Sequence, residues 1–366
     1  MQNPLSEKTY LKRTFNIDTP IRGAYFRDQT AIIHSMPYRR LKHKTQVFFA
    51  PENDHVCTRI EHVMHVATIA KSICLGLNKY NWNLDTDMAF AIGLGHDLGH
   101  APFGHDGEEI LQEICRKRKL NLFFHNIHSL RIVDKLADAC KGMNLTFQVR
   151  DGILSHDGEI NEKCLKPDRD KTEADLTDYC QKKSQGEQPH IVPATLEGCV
   201  VRMSDAISYV GQDFEDAIRI GILKKEELPE GIKKDLGESN TDIINSLVTD
   251  IIINSYNRNE IIYSSDIAER VFELKRFNTE RIYKSPRLKG KKTKLKTAFK
   301  FLFEKFLSAL NQGEEESLIF KEWIFNRGKN KGADYVNSYL PEQVVIDYIA
   351  SMTDRYFNNI YIKYKK

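Results

Sequence analysis

Residues 96–108 are unusually rich in side chains that bind metal ions or transfer protons. They read HDLGHAPFGHDGE, with three histidines and three carboxylates among small residues and a proline. Seven of the 12 histidines lie between residues 62 and 128, where an even distribution would place roughly two. Such a segment makes a poor hydrophobic core, so the excess of histidine indicates metal ligation or acid–base chemistry.

Part of this segment could bind a divalent ion together with residues from elsewhere in the chain. His96 and Asp97 are adjacent, so both can reach one ion only near a helix end, which Gly99 supplies. The best further donors are His62, on the preceding helix, and Asp205, a lone carboxylate in an apolar helical stretch. Burying even a neutral polar group unpaired costs about 2–7 kcal/mol, and a metal ion removes that penalty. Two histidines and two aspartates suit Mn, Fe, Co, Ni or Zn better than Mg alone.

Simpler explanations apply to each of these residues when it is taken alone. The pair His96-Asp97 could be a helix-terminal ion pair, and Asp205 could be a helix N-cap, although its apolar neighbours argue against a cap. Other histidines are interpreted as structural: His65 as a neighbour of His62 on one helix face, and His128 as a polar core residue. The same structural interpretation is given to His34, His43, His55 and His156, with a phosphate contact left open for His55.

Helical patterns predominate among the elements that must position these side chains. Thr58 and Glu61 have the spacing of a capping box, and an i, i+3, i+4, i+7 apolar stripe follows them up to Asn78. Residues 157–190 are rich in Lys, Asp, Glu and Gln and are predicted to form a mobile surface insertion with at most a short helix. Further helices are predicted over 85–98, from 106, over 126–141, from 193, and over 241–257, 264–283, 294–310 and 342–360.

The chain is therefore predicted to be all-α, as a single helical unit over residues 1–366. Its core is expected over about 20–220, followed by a C-terminal helical region over about 221–366. Hydrophobic residues make up 41% and charged residues 29%, which is typical of soluble globular proteins. No signal peptide is apparent, no apolar stretch reaches the ~20 residues of a membrane span, and the seven cysteines form no C-x-x-C pair. We expect a cytoplasmic protein without membrane contact.

The order of His62, His96-Asp97 and Asp205 resembles the H…HD…D signature of the HD phosphohydrolase superfamily. The surrounding sequence is similar to the branch of dGTPases and dNTP triphosphohydrolases, which implies an HD-domain helical bundle with a C-terminal helical extension. The similarity runs from about residue 20 to 360. Its segments are 27–28, 33–35, 38–48, 58–62, 96–108, 125–126, 196–198 and 347–356.

The resemblance implies a role for each matching residue. The metal ligands are His62, His96, Asp97 and Asp205. The catalytic residues are His105 and Glu108 as an acid–base pair, with His100 and His125 beside the phosphates. The substrate-binding residues are Gln46 at the 3′-hydroxyl, Arg59 at phosphate oxygens, Tyr209 and Asp213 at the sugar, and Tyr283 in the nucleoside pocket. Two positions depart from the family pattern, His128 in place of a frequent glutamine and Ala206 in place of a lysine.

The resemblance implies metal-dependent hydrolysis of dGTP to deoxynucleoside and inorganic triphosphate. A wider substrate range would include other dNTPs. Water would attack the α-phosphorus, His105 would protonate the leaving oxygen, and Mg would accompany the triphosphate. The resemblance also implies a homo-oligomer, a tetramer or a hexamer. Two alternatives stay open: another HD phosphohydrolase, such as a nucleotidase or phosphodiesterase, and a non-catalytic sensor of dNTPs or nucleic acid.

Residues 284–300 carry eight basic side chains and no acidic one. A solvated surface explains this run as well as a binding site does. As a site, it would suit a regulatory dNTP, single-stranded nucleic acid or the acidic patch of a neighbouring subunit.

Overall fold

The computed structural model of the chain is almost entirely helical, which confirms the predicted all-α class. It describes residues 11–15, 17, 21–48, 53–157, 162–285 and 292–365. Within these ranges the only strands are β1 (Cys164–Leu165) and β2 (Ile261–Ile262), which pair antiparallel. The fold is thus a set of packed helices with one minimal β-ribbon.

The helices before residue 220 and the loops between them carry every predicted site residue except Tyr283. These helices are α1 (Ala24–Ile33), α2 (Met36–Arg40), α3 (Arg59–Asn78), α4 (Thr86–Gly95), α5 (Gly104–Arg118), α6 (His125–Arg131), α7 (Ala137–Cys140), α8 (Phe147–Ser155), α9 (Glu173–Ser184) and α10 (Leu196–Arg219). A 3₁₀ turn at Leu41–His43 follows α2, and a π-helical segment, Ile132–Leu136, joins α6 to α7.

The helices after residue 220 form the C-terminal region. They are α11 (Glu230–Asp235), α12 (Asn240–Ser255), α13 (Ser265–Asn278), α14 (Lys292–Gln312), α15 (Lys329–Ser338), α16 (Pro341–Ser351) and α17 (Asp354–Lys365). Further turns are the 3₁₀ segments Lys225–Glu227 and Phe325–Arg327 and the π-helical segments Thr279–Tyr283 and Ile319–Ile324.

Helix α10 is the central element of the core. It packs against α3, α4, α8, α12 and α13, and side chains such as Val200, Ile207 and Val210 are fully buried. Buried apolar side chains from Tyr25 to Ile360 form one continuous cluster, to which α14 and α16 contribute. The site helices are therefore held by a core that includes residues from the C-terminal region. The division into a core and an extension near residue 220 stays a prediction.

Helix α3 begins with the predicted capping box and carries the first candidate ligand. Thr58 and Glu61 bond reciprocally at its start. By length and composition this helix could cross a membrane, but half of its most apolar window is buried inside the fold. Its apolar character is consistent with the core helix of a soluble protein.

Three segments differ from the helices predicted for them. Residues 157–190 contain the twelve-residue helix α9, because Thr172 forms a capping box and Leu176 and Tyr179 are buried. The predicted helix 126–141 is interrupted by a π-helical segment and by left-handed residues from Asp138 onward. The predicted helix 342–360 is two helices, because the backbone is extended at Met352.

The basic segment 284–300 is only partly described. Residues 286–291, with three of its basic side chains, lie outside the described residues. Lys292 at the start of α14 pairs with Asp106 and Glu109 of α5, and Lys296 pairs with Glu113. These two lysines are neutralised within the chain and tie α14 to the helix that begins beside His105. A binding role for the remainder of the segment stays a prediction.

Candidate metal and acid–base site

The four predicted metal ligands converge at the centre of the fold. The Nε2 atom of His62 lies 3.0 Å from Asp205 Oδ1 and 3.8 Å from Asp97 Oδ2. The Nε2 atom of His96 lies 3.6 Å from Asp97 Oδ1 and 3.8 Å from Asp205 Oδ1. Metal–ligand bonds of about 2.1 Å place neighbouring ligand atoms about 3.0 Å apart, and opposite ones about 4.2 Å apart, in an octahedral site. The ligand atoms of His62, His96 and Asp205 lie within 4.8 Å of one another, which fits one divalent ion, and the two oxygens of Asp97 face His62 and His96.

Hydrogen bonds orient both imidazoles for metal binding. The Nδ1 atom of His96 lies 2.8 Å from the carbonyl oxygen of Gly93, so it carries the hydrogen and leaves a lone pair on Nε2. That Nε2 atom is buried without a hydrogen-bond partner. The Nδ1 atom of His62 lies 3.1 Å from Ser208 Oγ, which donates to the carbonyl oxygen of Asp205. Each ring therefore uses Nδ1 for a contact within the chain and directs Nε2 toward the carboxylates, the orientation in which both rings could bind a metal ion.

The loop after α4 is held close to α6 by Gly99. A Cβ atom at Gly99 would stand 2.2 Å from the backbone nitrogen of Ser129 and 2.3 Å from the carbonyl oxygen of His125. The Gly99 N–H donates to Ser129 Oγ, whose hydroxyl donates to the carbonyl oxygen of His96. Gly99, which the sequence predicts at a helix end, therefore also lets the loop that carries Asp97 contact α6, the helix of His125.

The acid–base candidates form a second cluster next to the quartet. Glu108 Oε2 lies 2.9 Å from His125 Nδ1 and 3.6 Å from His105 Nδ1, so one carboxylate serves two imidazoles. The His100 ring stacks on His125 with centroids 4.1 Å apart. The side chain of His105 is 65% exposed, whereas that of Glu108 is 8% exposed. His105 is therefore placed to meet a ligand from solvent while Glu108 stays fixed.

Glu108 controls the charge of His125. Burial alone lowers the pKa of His125, but the adjacent Glu108 carboxylate outweighs that effect and raises it to about 9. Burial likewise raises the pKa of Glu108, yet His125 and His105 hold it well below its usual range. At neutral pH the pair is therefore an imidazolium and a carboxylate.

Arg59 contacts protein acceptors that its implied phosphate role does not include. Its guanidinium pairs with Asp97 and donates to the carbonyl oxygens of Thr45 and Gln46. Burial raises the pKa of Asp97, but Arg59 and His100 keep it well below its ordinary value. In this arrangement Arg59 balances the charge of a candidate ligand and holds the loop that carries Gln46.

The two clusters line one cavity of about 220 Å³. Eleven of the thirteen predicted site residues line it: Gln46, Arg59, His62, Asp97, His100, His105, His125, Asp205, Tyr209, Asp213 and Tyr283. The other two, His96 and Glu108, lie behind this surface and contact lining residues. At the side away from Glu108, the Tyr283 hydroxyl donates to Asp213 across 2.5 Å, and Gln46 Oε1 is buried without a hydrogen-bond partner. The structure brings together the residues that the resemblance assigned to metal, phosphate and sugar.

Five further histidines occupy three kinds of position. His34, His43 and His55 are exposed, and none of them lines this cavity. His128 is buried 3.9 Å from Asp347, in agreement with a polar core role. His156, which sequence analysis treated as structural, lines the cavity instead. An isolated histidine after an amphipathic helix carries no sequence signal for such a position.

Asp354 is a second residue that sequence analysis did not assign to the site. This buried carboxylate, at the start of α17, accepts hydrogen bonds from the Phe103 N–H, at 2.8 Å, and from the N–H and hydroxyl of Thr45. Phe103 has a φ of 63°, a left-handed conformation that is costly for a non-glycine residue and needs such support. Lys44 adds bonds to the carbonyl oxygens of His100 and Ala350. Residues of the C-terminal region thus fix both loops that border the cavity.

Replacing Asp354 by asparagine is expected to lower kcat/KM roughly tenfold for a reaction catalysed in this cavity. An asparagine cannot accept all three bonds, and a buried unmet donor costs about 1–3 kcal/mol, so the loops with Gln46 and His105 lose their alignment. Metal content should stay unchanged, because no ligand is altered. Steady-state kinetics and metal analysis of the purified variant measure both effects.

Asp28→Asn is the matched control for this variant. Asp28 is also buried and accepts from the N–H and hydroxyl of a threonine, but that residue, Thr146, does not line the cavity, whereas Phe103, which donates to Asp354, does. It should lose thermal stability without the kinetic defect. An equal loss of kcat/KM in both variants would show that Asp354 acts only on stability.

Comparison with known protein families agrees with this geometry. Residues 59–209 match the HD domain family, and residues 261–363 match the phosphohydrolase-associated domain family. The first match includes all four candidate metal ligands and the acid–base cluster. The second includes Asp354, which fixes the cavity loops.

Curated relatives cover nearly the whole chain. A deoxyguanosinetriphosphate triphosphohydrolase-like protein of Caldanaerobacter subterraneus is 37% identical over 94% of this chain and 85% of its own length. A protein of the same name from Clostridium tetani is 36% identical over 93% of this chain and 86% of its own length. A third, from Rickettsia bellii, is 31% identical over 97% of this chain and 94% of its own length. The similarity therefore extends beyond the catalytic helices to the C-terminal region.

Proposed function

Because the chain belongs to the HD-domain phosphohydrolase family of deoxyguanosinetriphosphate triphosphohydrolase-like proteins, we propose that it hydrolyses dGTP or a wider set of dNTPs to deoxynucleoside and inorganic triphosphate. The observation that carries this proposal is the metal quartet standing beside the Glu108–His125–His105 cluster in one cavity. Reaction at a phosphoryl group needs both, a site for a cation and a site for proton transfer.

The four ligands would hold the ion against the phosphoryl group. A divalent ion in this position neutralises phosphoryl charge and makes a water molecule a better nucleophile. The contacts of His96 Nδ1 with the Gly93 carbonyl oxygen and of His62 Nδ1 with the Ser208 hydroxyl keep the Nε2 atoms directed inward. Mn, Fe, Co, Ni and Zn suit this mixture of imidazole and carboxylate ligands, and Mg would accompany the triphosphate.

His105 is the proposed general acid for the leaving 5′-oxygen. Its exposed ring stands at the cavity surface, and Glu108 beneath it supplies the carboxylate that orients the ring. The imidazolium of His125, fixed by the same carboxylate, adds positive charge beside the phosphates. His100, stacked on His125, would contact the α-phosphate from the neighbouring side.

The sugar would bind at the side of the cavity lined by Gln46, Tyr209, Asp213 and Tyr283. The buried Oε1 of Gln46 is an acceptor for a 3′-hydroxyl, and the hydrogen bond between Tyr283 and Asp213 fixes the wall that faces the ribose ring. Tyr209 lies one helical turn beyond Asp205 and lines the same cavity, where its ring would exclude a 2′-hydroxyl by packing. A homo-oligomer and a regulatory nucleotide stay predictions.

The test is separation of the products formed from each of the four dNTPs and from GTP with Mn and Mg. We expect deoxynucleoside and intact triphosphate from at least one dNTP, little product from GTP, and no product after chelation of the metal. This single experiment also reports the base preference.

Other products would redirect the proposal. Orthophosphate or pyrophosphate would indicate a different HD phosphohydrolase that attacks another phosphorus. Binding of dNTPs by the metal-loaded protein without turnover would support a sensor.

A further inference from the structure

His156 stands beside the metal quartet. It follows α8 directly, its side chain is 2% exposed, and its Nε2 atom lies 4.0 Å from Asp97 Oδ1. Its ring centroid lies 4.8 Å from that of His96, with the two rings nearly perpendicular. His96, Asp97 and His156 each offer one ligand atom, and these atoms lie within 4.8 Å of one another.

A backbone contact fixes the orientation of the His156 ring. The Nδ1 atom lies 2.6 Å from the carbonyl oxygen of Ile153, so it carries the hydrogen and donates it. The Nε2 atom then has a lone pair that points toward Asp97. His96 shows the same arrangement, with Nδ1 bonded to the carbonyl oxygen of Gly93 three residues earlier. Both rings are therefore prepared as ligands by the helix that precedes them.

A direct contact between His156 and Asp97 does not account for this placement. A separation of 4.0 Å exceeds the length of a hydrogen bond. The Asp97 oxygens already accept from other groups, Oδ2 from Arg59 and Oδ1 from His100 at 3.2 Å. A shared divalent ion would account for the placement, because the ligand atoms of His156, Asp97 and His96 lie within 4.8 Å of one another.

We propose that His156 is a fifth protein ligand, and the third imidazole, of the ion bound by His62, His96, Asp97 and Asp205. The inference rests on the metal site of the proposed function and extends it from two nitrogen ligands to three. A third imidazole shifts the preference of the site away from Mg and toward later transition metals such as Co, Ni and Zn. It also connects α8, which contributes no other ligand, to the metal centre.

The decisive measurement is the number of imidazole ligands, obtained by X-ray absorption spectroscopy of the full-length protein loaded with Co or Zn. We expect three imidazoles in the unaltered protein and two in His156→Gln. Titration should show Co or Zn affinity about 10- to 100-fold weaker in the variant, with a smaller change for Mg. His156→Asn serves as a second variant if the glutamine form does not fold.

His128→Gln is the matched control. His128 is equally buried but stands beside Asp347, away from the quartet, so its replacement should leave three imidazoles and unchanged affinity. Two imidazole ligands in the unaltered protein, or the same number of imidazole ligands in His156→Gln as in the unaltered protein, would overturn the inference. The proposed function would still stand. A protein that binds none of these metals contradicts the proposed metal dependence itself.

Discussion

Replacing Asp205 by asparagine is expected to remove the bound ion and to lower kcat for dNTP hydrolysis by at least about a thousandfold. Asp205 is the carboxylate that contacts both His62, at 3.0 Å, and His96, at 3.8 Å. Asp97 is already one of the four candidate ligands and is contacted by Arg59 and His100, so it cannot also supply the carboxylate that is lost. A catalytic metal contributes several kcal/mol to the transition state, and each 1.4 kcal/mol corresponds to about tenfold in rate. Metal analysis and product assays of the same preparation test both parts.

Asp213→Asn is the matched control for this variant. Asp213 lies two helical turns further along α10 and is equally buried, but it accepts a hydrogen bond from Tyr283 in the proposed sugar region. The control should keep its ion and lose affinity for the nucleotide, which appears as a raised KM. If Asp205→Asn kept both the ion and the rate, the metal site would be assigned to the wrong residues.

The metal quartet could be predicted because its signals are chemically unusual where they occur. A lone carboxylate such as Asp205 in an apolar stretch, and the His96-Asp97 pair before Gly99, both violate the composition of a core helix. Helix starts were predictable for a similar reason, since Thr58 and Asp85 have capping side chains that act within three residues. Local chemistry carries this information, so a single sequence is sufficient for it.

Other features depend on packing between distant segments. His156 reaches the quartet only because α8 packs against α4 and α10. Asp138 and Ala139 adopt a left-handed backbone conformation although neither is a glycine or a proline. Their residue types therefore do not mark the end of the predicted helix. Asp354 contacts Phe103 from 251 positions away. None of these relations has a periodic or local signature in the chain.

Glu108 of the acid–base cluster makes one contact that the sequence predicts and one that depends on packing between distant segments. The spacing of three between His105 and Glu108 predicts a contact on one helix face, and their atoms lie 3.6 Å apart. The nearer partner of Glu108 is His125, 17 positions along the chain, which also donates its backbone N–H to the carboxylate at 2.9 Å. The sequence therefore predicts one histidine for this carboxylate, and the fold supplies a second.

Replacing Glu108 by glutamine is expected to lower kcat about 10²- to 10⁴-fold at neutral pH while the bound ion is retained. The variant removes the carboxylate that orients the general acid, and positioned proton transfer contributes about this factor. It also removes the charge that raises the pKa of His125 to about 9. Burial then governs that ring, as it does for His128, whose pKa burial lowers to about 4.

The expected pH dependence of the rate follows from the raised pKa of His125. A histidine with a raised pKa is protonated at neutral pH and loses its proton as the pH rises through about 9, so the rate of the unaltered enzyme should fall above that value. In Glu108→Gln the imidazolium is lost at a much lower pH, and the residual activity should increase toward acid. Rate profiles from pH 5 to 10, under conditions that keep the ion bound, measure this displacement.

Glu197→Gln provides the control for these profiles. Glu197 is also buried and accepts a backbone N–H, that of Asp85, but it lies outside the cavity. Its replacement should leave both the rate and the alkaline limb unchanged. A Glu108→Gln enzyme with a reduced rate but an unshifted limb would mean that Glu108 orients His105 without setting the charge of His125, and the roles of the two histidines would then be separable.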